Sequence, residues 1–178
     1  MKKDIIIFLL IIMLAAVFVL NTDFKTVEEY YLENAENVKE GDATVFISIR
    51  CNTVFDNSEK LDPALWEFVP EDGVILAKTQ YVLREGDTVF DILVRAVKTH
   101  RIQMEYSGSP EARTVYIEGI SHLYEFSCGD LSGWSFLING ELTQLGASAF
   151  TLSDGDVIEW IYTCDLSRDI LQGGVANG

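Results

Sequence analysis

Three regimes of apolar spacing succeed one another along the chain. Residues from Ile5 to Leu20 are apolar without interruption, preceded by Lys2 and Lys3 and closed by Asn21, Thr22 and Asp23. Then Val27, Tyr30, Tyr31, Ala35 and Val38 recur every three to four positions with acids between them, which predicts a short amphipathic helix. Its simplest role is a polar spacer, with a partner-binding helix as the alternative, and Glu40-Gly41-Asp42 ends it. Beyond this point the dominant period is two. Val45, Ile47 and Ile49 alternate with Thr44, Phe46, Ser48 and Arg50, so residues 43–51 read as a strand. A long connection over 52–72 carries Asn52, Asp56, Asp62, Pro63 and Pro70, and Leu65, Trp66 and Phe68 are expected to pin it onto the core. The Asp72-Gly73 turn introduces a second strand over 74–83.

The helical period returns at residues 88–100. Arg84-Glu85-Gly86-Asp87 reads as a turn, with Asp87 or Thr88 able to cap the helix that follows. Phe90, Leu93, Val94 and Val97 share one face, Val89 and Ile92 widen it, and Asp91, Arg95 and Lys98 point away. Such a stripe predicts a helix lying across a sheet. Short strands follow at 112–117, 122–128, 134–138, 150–152 and 157–164, separated by Gly119, Gly129-Asp130, Gly133, Gly146 and Asp154-Gly155-Asp156. Asn139-Gly140 supplies the positive φ values of a tight hairpin. Strands, one crossing helix and more strands predict an α+β domain on a mixed or antiparallel sheet. The Gly-rich end, 171–178, reads as a flexible tail.

The apolar run at the start changes the picture by giving an address. Sixteen residues rise about 24 Å as a helix, and flanking lysines can snorkel to reach the interface. The run ends Val17-Phe18-Val19-Leu20-Asn21, without the small residues of a cleavage site, so an uncleaved signal anchor over 1–24 is expected, a cleaved signal peptide being the alternative. Lys2 and Lys3 place that end in the cytoplasm by the positive-inside rule. The expected location is the cell membrane, single-pass, with the C-terminal domain extracytoplasmic.

Composition narrows the function. The 178 residues carry 13 Lys+Arg against 28 Asp+Glu, a net charge of −15, which argues against a nucleic-acid partner. Two His and three Cys leave little material for a zinc site, and there is no GxSxG, HExxH, P-loop or GxGxxG motif. No metal and no cofactor are expected. Turn chemistry accounts for Asp154 and Asp156 without calcium, and Cys51, Cys128 and Cys164 have no adjacent His to activate a thiolate. A non-enzymatic protein is expected.

Four blocks carry a family resemblance. Gly86-Asp87-Thr88-Val89-Phe90-Asp91-Ile92-Leu93, Tyr116-Ile117-Glu118-Gly119-Ile120, Gly133-Trp134-Ser135-Phe136-Leu137-Ile138-Asn139-Gly140 and Asp154-Gly155-Asp156-Val157-Ile158-Glu159-Trp160 together resemble the transcobalamin-like C-terminal domain family. The resemblance implies a β-grasp-like fold over 84–170, preceded by an N-terminal β segment over 42–83; the juxtamembrane helical spacer over 25–41 comes from the apolar spacing alone. It also implies a binding role, with cobalamin or another corrinoid as a bound ligand, because the related domain of animal cobalamin carriers closes over a corrinoid.

Within the resembling region, Trp134 and Phe136 share one face of their strand, and Tyr116 and Tyr124 both precede it in sequence. Each has two readings, as core packing or as part of an aromatic platform for a flat ligand, and Trp134 has a third as a protein interface. Trp160 is expected in the core. Cys128 and Cys164, both in this region and near strand ends, are expected to form a disulfide, leaving one cysteine over. Two functions follow. One is a membrane-tethered extracytoplasmic binding module for a small ligand, with Tyr116, Tyr124, Trp134 and Phe136 at the site. The other is a surface structural or protein-interaction module with no small-molecule ligand.

Overall fold

A computed structural model describes residues 38–173 of the chain. The expected anchor, most of the spacer and the end of the tail lie outside these residues. Among the described residues no helix is long and apolar enough to cross a membrane.

Among the described residues, eight strands and two α-helices follow in order: β1 (Thr44–Arg50), β2 (Val74–Val82), α1 (Val89–His100), β3 (Met104–Ser107), β4 (Tyr116–Ile120), β5 (Leu123–Tyr124), β6 (Gly133–Ile138), β7 (Glu141–Leu142), β8 (Val157–Thr163) and α2 (Arg168–Gly173). Five strands make one mixed sheet in the order β2-β1-β8-β6-β7. Its centre is a parallel pair, β1 with β8, in the register Ile47↔Ile158 and Ile49↔Trp160; the other pairings are antiparallel. This sheet crossed by α1 is the β-grasp-like core. The N-terminal β segment is therefore built into the same sheet as the resembling region, since β1 lies between β2 and β8.

The alternation read from the sequence sets the buried face. Val45, Ile47 and Ile49 of β1, Ile158, Trp160 and Tyr162 of β8, and Trp134, Phe136 and Ile138 of β6 all point into one core. Against them α1 lays Val89, Phe90, Ile92, Leu93, Ala96 and Val97. Thr88 closes the helix start with a capping box: its hydroxyl accepts from the Asp91 amide, and the Asp91 carboxylate accepts from the Thr88 amide. Arg95, on the outer side of α1, folds back to pair with Asp87. The long connection forms two 3-10 turns, Asn52–Asn57 and Pro63–Phe68, and Leu65 and Trp66 pack on the core.

A second, three-stranded antiparallel sheet, β3-β4-β5, stands beside β6. Here the sequence reading needs correction. The strand expected at 112–117 is displaced to Tyr116–Ile120, because Pro110 to Thr114 form a turn in which Arg113 takes φ +58° and donates its amide to the Pro110 carbonyl. The strand expected at 122–128 is cut to Leu123–Tyr124, since Phe126 takes φ +67° and the Ser127 amide turns back to the Tyr124 carbonyl. Residues 150–152 contribute a single bridge, Thr88↔Thr151, and β3 and α2 carry no periodicity that marked them beforehand.

Candidate functional site

The four aromatic residues do not form one platform. Trp134 and Phe136 are 9 % and 8 % exposed and spend their rings on the core: Trp134 stands edge-on to Tyr162 at 5.3 Å, and Phe136 tilts over Trp160 at 5.0 Å. The Trp134 indole N–H donates to the Leu123 carbonyl at 2.8 Å, so this side chain ties β6 of the large sheet to β5 of the small one. Trp160 is interior, as its alternation implies.

Tyr116 and Tyr124 sit on the small sheet. Tyr116 is 48 % exposed, and its hydroxyl donates to the Glu125 carboxylate at 2.6 Å. Partial burial first, then that carboxylate, push its phenol up to about 12. Tyr124 lies across Gly119 and reaches Glu105 on β3, donating at 2.7 Å while accepting from the Gln103 amide at 2.8 Å. Only glycine allows this crossing, for a Cβ at position 119 would stand 2.7 Å from the ring. The Glu105 hydrogen bond chiefly raises the Tyr124 phenol above its ordinary value. Both tyrosines are thus committed to holding the small sheet.

Two other places on the surface are open. The first is a groove of about 500 Å³ lined by Ile138, Asn139, Glu141, Leu142, Thr143 and Phe150. One wall is the β6–β7 hairpin, whose Asn139 (φ +54°) and Gly140 (φ +83°) make the turn expected of that dipeptide. The Asn139 side chain is fixed at both ends, donating to Asp156 at 2.9 Å and accepting from the Val157 amide at 2.9 Å. The opposite wall is anchored to the start of α1, where the Val89 and Phe90 amides donate to the carbonyls of Phe150 and Ala147. Both walls are thus tied to the core. Ile138, Leu142 and Phe150 bring apolar surface to the groove, and Asn139, Glu141 and Thr143 make its lining at least as polar as apolar. A volume in this range suits a small molecule, and that mixture suits an apolar body with hydrogen-bonding edges.

The second place is a pair of loops carrying apolar side chains outward. Phe126 and Leu166 are 62 % and 65 % exposed, and both hold left-handed backbones, at φ +67° and +48°. Leu131, also exposed, accepts the Leu166 amide on its carbonyl at 3.0 Å, which brings the two loops together. Immediately beneath, the sulfurs of Cys128 and Cys164 stand 2.7 Å apart in the interior.

Sequence reasoning reached the hairpin of the groove through Asn139-Gly140 but not the groove itself. Its opposite wall is an irregular segment, placed by backbone bonds to α1 that leave no periodic trace. Phe126 falls inside the strand expected at 122–128 and Leu166 just beyond the one expected at 157–164, so neither was singled out.

The thiols show what the interior does to reactive groups. Burial pushes Cys51 up to about 12, and burial likewise raises Cys128 and Cys164 above the ordinary thiol value. A nucleophilic cysteine needs the opposite shift. Among the described residues no group of three or more His, Cys, Asp or Glu side chains converges as metal ligands.

Residues 86–163 match the family described as "Domain of unknown function (DUF4430)", and this stretch of the chain is such a domain, in agreement with the transcobalamin-like resemblance of its four motifs. No curated protein matches the chain. Among solved structures, haptocorrin in complex with Cbi aligns with a TM-score of 0.47 and 17 % identity, covering 72 % of this chain and 27 % of haptocorrin. A protein from Ruminococcus gnavus ATCC 29149, described as a candidate metal-binding protein, aligns with a TM-score of 0.38 and 12 % identity over 68 % of this chain and 97 % of its own. The chain therefore spans about a quarter of the length of haptocorrin, the first of these.

Proposed function

We propose that this DUF4430 domain is an extracytoplasmic, non-catalytic binding module that takes a small ligand in the groove between the β6–β7 hairpin and the segment leading to Phe150. The observation that carries the reading is the groove: about 500 Å³, with a mixed polar and apolar lining and walls tied to the core. Glu141 on its rim and a net charge of −15 favour a neutral or cationic ligand over an anionic one. The family resemblance makes a corrinoid the first ligand to test, because an amide-fringed ring offers both an apolar body and hydrogen-bonding edges. Tethering rests on the apolar run from Ile5 to Leu20, which with Lys2 and Lys3 makes a single-pass anchor with the domain outside the cell.

The test is calorimetric titration of cobalamin and cobinamide into the full 178-residue chain in detergent micelles. Saturable heat at micromolar affinity, lost in Thr143→Arg while the thermal melt stays in place, supports the groove. Equal binding by Thr143→Arg moves the ligand elsewhere, and no heat with either compound removes corrinoids from the reading.

The exposed loops favour a second reading, a protein-interaction module. Phe126 and Leu166 stand away from the groove's lining residues, so Phe126→Ser with Leu166→Ser abolishes a protein contact and leaves small-molecule binding unchanged.

A further inference from the structure

We infer that Cys128 and Cys164 are the chain's disulfide, a staple that locks together the two loops carrying Phe126, Leu131 and Leu166. The two sulfurs are 2.7 Å apart and buried, across a separation of 36 residues. Their backbones are held in place independently of the sulfurs. The Cys128 amide donates to Ser132 Oγ at 2.9 Å, and the Cys164 amide donates to Asp169 Oδ2 at 2.7 Å. The fold itself therefore brings the thiols together, with the Leu166 amide on the Leu131 carbonyl as a further tie between the loops. Cys51, the third and also buried thiol, is left single by parity.

The chemistry needs an oxidant, and a disulfide-bearing one suffices: an extracytoplasmic dithiol oxidase or glutathione disulfide. A thiolate of one cysteine attacks the oxidant's sulfur and releases one thiol from it. The second cysteine then attacks the mixed disulfide, the Cys128–Cys164 bond forms, and the oxidant leaves fully reduced, carrying the two electrons and two protons. Burial of the two reduced thiols disfavours the thiolate form, so oxidation belongs to the stage before the loops close, and the completed bridge, itself buried, is shielded from soluble reductants. The loops it fixes carry left-handed, exposed apolar residues, a conformation that costs energy and gains from a covalent constraint beneath it.

In the cell the bridge rests on the extracytoplasmic reading, so the experiment has two arms. In the first, the 178-residue chain is refolded in a glutathione redox buffer, quenched with acid, alkylated in denaturant and mapped by mass spectrometry. The expected product is two hydrogens lighter, has one linked peptide pair containing Cys128 and Cys164, and carries alkylated Cys51. Cys51→Ser gives the same pair, Cys128→Ser or Cys164→Ser gives none, and reducing the bridge lowers the melting temperature by about 10 °C. A bridge that includes Cys51, or a folded chain with three alkylated thiols, overturns the inference. In the second arm, thiols are trapped in intact cells before lysis. A bridge that forms in the buffer but is missing from cells overturns the extracytoplasmic reading and leaves the pairing intact.

Discussion

The two sheets of this domain are built on different physical terms. In the large sheet, the two central strands each run seven residues, β1 alternates strictly, β8 is buried on both faces over Trp160–Thr163, and α1 covers the shared apolar face. Burial and backbone pairing act together there, and no side-chain hydrogen bond is needed to explain the register. The small sheet has strands of four, five and two residues. It is held by particular side chains: Trp134 on the Leu123 carbonyl, Tyr124 across Gly119 to Glu105, and Tyr106 edge-on to Phe90 at 4.8 Å. Of the eight non-glycine residues at positive φ among the described residues, four lie in or beside it: Arg113, Ser121, His122 and Phe126. A regular sheet makes the scaffold, and an irregular one presents loops from it, which is the usual division between stability and recognition.

The sharpest way to break this comparison is at the residue that joins the two sheets. Trp134→Ala removes a buried indole and its bond to the Leu123 carbonyl, and is expected to cost about 3–5 kcal/mol in urea unfolding. Trp134→Phe keeps most of the apolar contact but orphans that carbonyl, costing about 1–3 kcal/mol. If the second variant unfolds as readily as the first, the hydrogen bond is the true link between the sheets. If it is neutral, packing alone joins them.

Alkaline pH comes next, and it acts on both sheets, since the Tyr116 phenol of the small one is also pushed up to about 12. Burial pushes Cys51 and Tyr162 up to about 12, both in the core of the large sheet, while an unfolded chain ionises its thiols near ~8.5 and phenols near ~10. The folded state holds these protons more tightly, so their contribution is complete below about pH 8.5 and is lost as the pH rises toward 12. The urea midpoint should therefore be flat through neutral pH and fall across that window. Tyr162→Phe also removes the bond from its hydroxyl to the Tyr124 carbonyl at 2.7 Å. It should cost about 1–2 kcal/mol at pH 7 and flatten the decline above pH 10. Tyr116→Phe, on the exposed small sheet, should stay within about 0.5 kcal/mol at pH 7. An equal response from the two variants would erase the distinction.

The same contrast decides what could be read from the sequence. β1 and α1 were legible because burial on one face writes a period of two or 3.6 into the chain, while β2, β6 and β8 were marked by the turns Asp72-Gly73, Asn139-Gly140 and Asp154-Gly155-Asp156 beside them. The small sheet leaves little of this. Glu105, Tyr106 and Ser107 of β3 are all exposed, so no alternation reports a strand, and β4 and β5 are bounded by left-handed residues that are not glycine. The aromatic side chains told less than their number promised. Trp134 and Phe136 left core and platform both open, with core favoured for Trp134, and only the position of Leu123, eleven residues away, shows where the indole points.

Gly119→Ala tests the small sheet alone. The added methyl would meet the Tyr124 ring at 2.7–2.8 Å, so the ring must leave β4 and give up its bond to Glu105. The expected cost is about 1–2 kcal/mol. Amide exchange should quicken over residues 103–125 while the β1–β8 pair keeps its protection. Equal loss in both sheets would mean that they unfold as one unit.

The smallest effect carries the opposite sign. Phe126 holds φ +67° with its ring largely in solvent, so it contributes little burial while occupying a backbone region that L-residues other than Asn and Asp avoid. Its amide donates to the Ser132 carbonyl, a bond that any residue but proline can make. For folding alone, asparagine is the better residue here, and Phe126→Asn should leave stability unchanged or raise it by up to about 1 kcal/mol. A loss above 1 kcal/mol would show that the ring packs on the fold and that this loop belongs with the scaffold. A gain means that the fold tolerates an unfavourable residue at its surface, and the side chain's value must then lie outside the fold, in what the loop meets.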